Sequence, residues 1–155
     1  MADASPPYSS YAAIAGTFLG GLTAAAVVAR TLGREPRELT GLDLLALGAA
    51  TFKASRTISR DRVLSFVREP FVEGEALEGH EEPTGEGMQR ALGELVTCTR
   101  CVGTWVAGGL GATQVVAPRF GRLLTWSLAA SAANDFLQTA FVALNRKSEE
   151  LSERV

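Results

Sequence analysis

The sequence predicts an all-α, multi-pass membrane helical bundle with three full spans and one short interfacial or half-inserted helix; four spans are the alternative. Of its 155 residues, 46% are hydrophobic and 21% are charged, yet the charges are concentrated between stretches that carry almost none. That partition is typical of a small multi-pass membrane protein. A net charge of −2 argues against a nucleic-acid partner. Two cysteines and one histidine are too few for a four-ligand metal site within one chain.

The first uncharged stretch, from Tyr11 to Ala29, predicts a transmembrane helix. Its 19 residues would form about 28 Å of helix, close to the thickness of the hydrocarbon core. It lacks the polar stripe of a soluble helix, and no basic residue precedes it as in a secretory signal peptide. The basic residues that follow it favour a cytoplasmic C-terminal end and an N-terminus outside. These are Arg30, Arg34 and Arg37.

Two further uncharged stretches predict a helical hairpin near the C-terminus. Cys101 to Pro118 holds 18 residues, or about 27 Å of helix, and Leu123 to Asn145 holds 23 residues, or about 34 Å. Pro118 and Gly121 mark a tight turn between them. The pair Arg146–Lys147 then favours a cytoplasmic C-terminus.

Small residues four positions apart on two of these helices predict close helix contacts. Gly16 and Gly20 form such a pair on the first helix, and Ala129 and Ala133 form one on the last. The same spacing also arises by chance in helices rich in alanine and glycine.

The fourth hydrophobic piece, Leu44 to Phe52, predicts the short helix. Its nine residues would form about 14 Å of helix, which is too short to cross alone. If this helix lies in the interface, 13 basic residues are cytoplasmic and two are outside. If it crosses, the basic residues outside the helix split eight to five. The stronger bias favours the interfacial arrangement.

The segment 69–94 predicts a solvated, flexible acidic loop. It holds eight glutamates and several glycines and prolines, and no apolar period runs through it. His80 beside Glu81 and Glu82 resembles part of a metal site, but a single imidazole in such a loop is usually only solvent-exposed.

Cys98 and Cys101 are the sharpest local motif, because two cysteines three apart at a helix start face the same side. As a redox pair, Cys98 would be the nucleophile, its thiol pKa lowered by the helix N-terminus and Arg100, and Cys101 would resolve the mixed disulfide. As a metal site, two protomers would share one zinc ion. The third alternative is a compact, weakly polar helix start with Thr97 as its N-cap.

Asp135 lies near the middle of the last predicted span, where an ionised carboxylate needs a partner. Lys53 and Arg56 are the candidates, because their helix is the other one with charge at membrane depth. Asp135 therefore forms a structural ion pair, or it handles protons or ions.

Motifs of common enzyme classes are missing from the sequence. It contains no G-x-S-x-G, no glycine-rich phosphate loop with lysine and no H-E-x-x-H. The sole histidine lies in the acidic segment, which argues against a catalytic triad.

Two segments together resemble a small bacterial membrane family, domain of unknown function 1360, which includes a sporulation-associated membrane protein. The first segment is Asp43–Arg56, followed by Arg60-Asp61-Arg62, Phe66-Val67-Arg68 and Pro70-Phe71. The second is Leu95–Ala107, in which Thr99 stands where proline is usual in the family. The resemblance implies an integral membrane protein of unknown activity, and it would also let the first matched helix cross the membrane.

The resemblance and the residue patterns together divide the chain into three parts. Residues 1–38 form an N-terminal transmembrane helix and a basic cytoplasmic turn, 39–147 a family-like membrane domain, and 148–155 a short polar tail. We expect a non-catalytic helix-packing component of a bacterial inner-membrane assembly, in contact with lipid and with its own copies or another membrane protein. The alternatives are a membrane-bound thiol–disulfide oxidoreductase and a small oligomeric ion or proton conductor. No cofactor is expected beyond the shared zinc.

Overall fold

Helices dominate the computed structural model, which describes residues 6–34, 38–74 and 81–152. Within these residues the helices are α1 (Tyr8–Thr31), α2 (Gly41–Arg60), α3 (Ser65–Arg68), α4 (Gly87–Thr97), α5 (Thr99–Val116) and α6 (Pro118–Ser152). Two short strands, β1 (Val72–Glu73) and β2 (Glu82–Pro83), pair antiparallel between α3 and α4. Short 3₁₀ turns cover Arg62–Leu64 and Glu69–Phe71.

Helices α1 and α5 run side by side in the same direction. The ring of Phe18 meets the ring of Trp105 with centroids 5.1 Å apart. Towards the other end of both helices, Ala29 lines the same groove as Val115. The start of α1 therefore lies beside the start of α5.

Helices α2 and α6 run in the opposite direction to α1 and α5. Ser55, late in α2, adjoins Gly103, early in α5, and the end of α2 also contacts α4. At the turn into α6, Gly121 packs so closely on Gln114 that a Cβ there would collide with the α5 backbone. The four long helices thus form an up-down-up-down bundle.

The bundle has two chemically different ends, which we name after one residue of each. The Tyr11 end holds the beginning of α1, the end of α2, the α4 segment and the beginning of α5. The Arg34 end holds the end of α1, the beginning of α2 and the α5–α6 turn, where Arg34 lies beside Pro118 and Arg119. Helix α6 continues beyond the Tyr11 end, and its residues from 137 to 152 are exposed.

Small side chains fill the contacts between the long helices. Ala50 of α2 and Ala132 of α6 are completely buried, and Ala46 and Val102 are nearly so. Because lipid competes for apolar side chains, helices in membranes associate through close backbone approach at such residues. Helix α5 contacts each of the other three long helices, and α2 packs against both α5 and α6.

Helix α2 is longer than the short helix predicted from the nine apolar residues Leu44 to Phe52; its interfacial or half-inserted position stays a prediction. Helix α2, Gly41–Arg60, extends over 20 residues, and its N-cap is Thr40, whose side-chain oxygen accepts from the Asp43 N–H. It runs the length of α5 because its small residues pack against both neighbours, a property that a hydropathy count does not measure. The parallel order of α1 and α5 also requires the beginning of α1 and the end of α6 to lie at one end of the bundle. The predicted placement of the two termini on opposite sides of a membrane stays a prediction.

The acidic segment also differs from the expected loop, because part of it has regular structure. Strands β1 and β2 and most of helix α4 lie within 69–94, and Gly93 of α4 approaches the Phe71 carbonyl so closely that no side chain would fit. His80 lies outside the described residues, as do Arg37 and the residues from 75 to 79. Flexibility of this segment stays a prediction.

Arg68 attaches this segment to the end of α2. Its side chain is 1% exposed, and its guanidinium donates to both carboxylate oxygens of Glu81 at 2.7 and 3.0 Å. The same group donates to the carbonyls of Ile58 and Asp61 at 2.6 and 3.1 Å. These four hydrogen bonds give the buried guanidinium the acceptors that it needs away from water. The carbonyls at the α2 C-terminus gain a cationic donor in return.

One helix within the described residues, α1, is long and apolar enough to cross a membrane by length and composition alone. It lies near the N-terminus of the chain and is mostly exposed in the monomer. Helices α2, α5 and α6 carry more polar residues and do not meet that criterion.

Candidate functional site

The contact between α2 and α6 contains an ion pair. Lys53 Nζ donates to Asp135 Oδ2 at 2.7 Å. The Lys53 side chain is 21% exposed and the Asp135 side chain 43%. Next to the pair, the rings of Phe52 and Phe136 stack with centroids 5.5 Å apart. The two charges therefore face each other between α2 and α6 with an aromatic stack beside them.

Arg56, the other candidate partner of Asp135, forms no ion pair with it. The side chain is exposed one turn farther along α2, and no ion pair joins it to the described part of the chain. Arg56 lies only about 60° around α2 from Lys53, but it is one turn farther along the helix, and Lys53 is the residue that pairs with Asp135. The structure thus selects one cation from the two that the sequence offered.

Cys98 and Cys101 lie together at the start of α5, paired in a disulfide with Cα atoms 5.2 Å apart. The Cys101 backbone N–H also donates to Cys98 Sγ at 3.3 Å, so Cys98 is the N-cap of the helix. Thr97 is not that cap: it ends α4, where its hydroxyl donates to the Gly93 carbonyl. In the paired state neither sulfur is a thiolate ligand, and within the described residues no three potential metal ligands cluster. The zinc shared between protomers stays a prediction.

An apolar groove of about 460 Å³ adjoins the cysteine pair at the Tyr11 end. Cys101 forms part of its wall together with the rings of Phe18 and Trp105. At its edge the Tyr11 hydroxyl donates to the Glu94 carboxylate, which also accepts from Arg90 at 3.1 Å. Sequence reasoning missed this group because 83 residues separate Tyr11 from Glu94 and no local pattern connects them.

The predicted helix-packing residues are placed differently on the two helices. Gly16 and Gly20 lie on the exposed side of α1, and a side chain at either would meet open space. Ala129 is half-buried and Ala133 exposed on α6. The close glycine contacts inside the chain are found elsewhere, at Gly108 against Phe18 and at the other positions described above.

A second polar contact inside the bundle was also missed. Gln114 Nε2 donates to Thr125 Oγ1 at 2.8 Å between α5 and α6, and the Thr125 side chain is buried. Each residue in isolation is a common component of apolar helices. Only the tight turn at Gly121 brings the two together.

Comparison with known proteins identifies a family and two relatives of this chain. A family model described as protein of unknown function (DUF1360) matches residues 46–141, from α2 to α6. The sporulation protein YjcA of Bacillus subtilis (strain 168) is 28% identical over 108 residues, which cover 65% of this chain and 92% of that protein. The UPF0713 protein YngL of the same organism is 27% identical over 105 residues, covering 66% and 80%. No solved structure matches. Helix α1 lies outside the matched region.

We predict that Asp135→Asn lowers the free energy of unfolding by about 2 kcal/mol, because it leaves the Lys53 charge without its counterion. The double variant Lys53→Met/Asp135→Leu should recover most of that loss, because it removes both charges together. A denaturant titration in detergent micelles measures both. Lys147→Met, which opens the exposed pair with Glu150, is the control and should change little.

If the role of Asp135 is structural, we expect vesicles with wild type and vesicles with Asp135→Asn to show the same proton flux. If the variant is as stable as wild type but abolishes a measured flux, the conductor alternative replaces the structural role.

Proposed function

This chain belongs to the DUF1360 family of proteins of unknown function, and we propose that it crosses a bacterial membrane four times as a helix-packing component of a membrane assembly. The alternating direction of the four long helices supports this topology. By length, α2 and α5 would span about 30 and 27 Å, close to a hydrocarbon core. A three-span chain would bring α1 and α5 together in opposite directions, whereas they lie parallel.

The distribution of side chains supports lipid as the surrounding solvent. The largest fully buried side chains are those of Arg68 and Thr125, whereas large apolar side chains point outwards. Among the latter are Leu19, Leu45, Leu137 and Phe141, all more than half exposed. A water-soluble monomer rarely exposes apolar surface on this scale. In a bilayer the same surface contacts acyl chains.

The polar residues of α2, α5 and α6 are compatible with crossing because they satisfy one another. Lys53 pairs with Asp135, and Gln114 binds Thr125. Polar groups in membranes face protein and find partners there. Their pairing explains how helices of modest hydropathy are accommodated beside α1.

The orientation follows from the basic residues at the two ends of the bundle. Eight lie near the Tyr11 end or beyond it in sequence, namely Arg60, Arg62, Arg68, Arg90, Arg100, Arg146, Lys147 and Arg154. Five belong to the connections of the Arg34 end, namely Arg30, Arg34, Arg37, Arg119 and Arg122. The excess favours a cytoplasmic Tyr11 end. Both termini are then cytoplasmic, in place of the expected outside N-terminus.

Single cysteines introduced into a Cys98→Ser/Cys101→Ser chain test this topology. We expect an impermeant maleimide to label Glu38→Cys in intact cells, and Ser5→Cys and Ser148→Cys only after the membrane is opened. Labelling of residues 5 and 148 from opposite sides would contradict four spans. Labelling of both from outside would reverse the orientation alone, and release of the chain by alkaline carbonate would contradict membrane insertion.

The assembly part of the proposal is carried by the Gly16–Gly20 surface of α1. These glycines lie on the side of α1 away from α5 and leave open space above the helix backbone. Another helix can approach closely there, which is how helices associate in lipid. On α6, the carboxamides of Asn134 and Gln138 are exposed, and neither is hydrogen-bonded within the described part of the chain. A second copy would supply donors and acceptors to both.

Leucine at Gly16 and Gly20 tests this surface. We expect Gly16→Leu/Gly20→Leu to weaken self-association in vesicles at least tenfold, measured by energy transfer between labelled copies, because the side chains keep the helices apart. Gly21→Leu is the matched control, since it also meets open space but lies about 100° away on α1. Equal association of both variants would exclude this surface.

The cysteine pair favours a second candidate, thiol–disulfide exchange. In a reducing cytoplasm a disulfide is usually transient and catalytic or redox-sensing. Cys98 thiolate would attack a substrate disulfide and release one substrate thiolate; Cys101 thiolate would then attack Cys98 sulfur and release the second. The substrate gains two electrons, and cellular dithiols reduce the pair again.

Acid quenching followed by alkylation measures whether the pair cycles in cells. If it does, the oxidised fraction should rise when cellular thiols are depleted, and Cys101→Ser should accumulate a mixed disulfide through Cys98. Cys98→Ser is the control and should accumulate much less. Cysteines that stay in one state under both conditions would leave only a structural role for the pair.

A further inference from the structure

A groove between α1 and α5 at the Arg34 end has the composition of a lipid site. Its volume is about 480 Å³, within the range of small-molecule sites. Its α1 wall is formed largely by alanines such as Ala25 and Ala26, and its α5 wall includes Gly111 and Ala112. These short side chains leave a narrow apolar depression along two membrane helices. A flexible hydrocarbon chain matches that shape and chemistry.

Two arginines close the groove at the end of α1. Arg30 and Arg34 both line it, and Arg34 also borders a second cavity formed with Arg119 and Phe120 at the α5–α6 turn. The three guanidinium groups form no ion pair with a carboxylate in 6–34, 38–74 or 81–152. In the proposed membrane topology these three positive charges therefore lie where the hydrocarbon core ends and the lipid phosphates begin.

We propose that this groove binds an anionic phospholipid, with an acyl chain between α1 and α5 and the phosphate at Arg30, Arg34 and Arg119. The inference rests on the proposed membrane insertion. The ligand must be an amphiphile, because the walls are apolar and the mouth is cationic. Basic pockets between transmembrane helices recognise anionic head groups in this way, and guanidinium pairs well with phosphate. A neutral head group would leave the cationic mouth without its counter-charge.

The lipid would have a structural consequence for the bundle. Helix α1 contacts α4 and α5 but has no comparable contact with α2 or α6. An acyl chain in the groove adds contacts between α1 and α5 that their small side chains do not supply. The bound lipid thus stabilises the attachment of α1, the helix outside the family match.

Titration of the purified full chain in neutral detergent tests the site, with phosphatidylglycerol, phosphatidylcholine or inorganic phosphate as the probe. Native mass spectrometry counts bound lipid, and the thermal midpoint reports stabilisation. We expect phosphatidylglycerol to bind at least tenfold more tightly than phosphatidylcholine and to raise the midpoint, and inorganic phosphate to do neither. Arg30→Gln/Arg34→Gln should weaken phosphatidylglycerol binding about tenfold. Arg122→Gln, at the same end but outside the groove lining, should leave it unchanged.

Occupation of the groove itself is tested by Gly111→Leu, which places a side chain in the space of the acyl chain. The change meets no atom within 4 Å at Cβ, and neither does the control Gly109→Leu, which lies outside the groove lining. Only Gly111→Leu should abolish lipid binding.

Three results would overturn the lipid site. They are equal binding of the two lipids, phosphatidylglycerol binding that survives Gly111→Leu, and inorganic phosphate that binds as tightly as phosphatidylglycerol or raises the midpoint as much. A chain that inserts with the proposed topology but gives one of these results refutes the lipid site alone, whereas a chain released by carbonate refutes the proposed function first.

Discussion

Close approach of α2 to α5 and α6 is the constraint on which the rest of the structure depends. Ala50 and Ala132 are fully buried at these contacts, and Ser55 lies against Gly103. Larger side chains at these positions would separate the helices. Because the backbones are close, side chains such as Lys53 and Asp135 can reach one another directly across the α2–α6 contact. The positions of the ion pair and of the Gln114–Thr125 bond both follow from this packing.

The same constraint leaves most large apolar side chains on the outside. A core made mainly of alanine, glycine and serine has little room for them, and leucine and phenylalanine residues project from α1, α2 and α6. In water this surface would be a strong driving force for association. In lipid it has the same polarity as its surroundings, and specificity must come from small-residue surfaces and from polar or charged groups. The Gly16–Gly20 surface and the Arg34 groove are two such places, at different positions on α1.

Several elements were predictable from local pattern. The uncharged stretches located α1, α5 and α6 to within a few residues at most ends, because 18 or more residues without a charge favour one continuous helix. Asp135 was predictable as a residue that needs a cation, since an ionised group at that depth is costly. The cysteine pair was predictable as one unit because three residues of helix bring the side chains to one face. The full length of α2 was not predictable, because charged residues such as Lys53 interrupt its apolar run. The partner of Lys53, Asp135, lies on another helix far away in the sequence. Helix α4 was not predicted either, because the glutamates and glycines around it are typical of a loop.

The order of residues along the chain was sufficient to predict a mostly helical protein, the family resemblance and the approximate places of its long apolar helices, because each of these depends on neighbours within a few turns. Tertiary packing decided the direction in which α1 lies against α5, the selection of Lys53 over Arg56, and the burial of Arg68 by Glu81. It also created the groove that brings Arg34 beside Arg119. These features join residues that are far apart in the chain. Their energies depend on distances and desolvation in the folded bundle, and neither can be calculated from the local periodicity of the sequence.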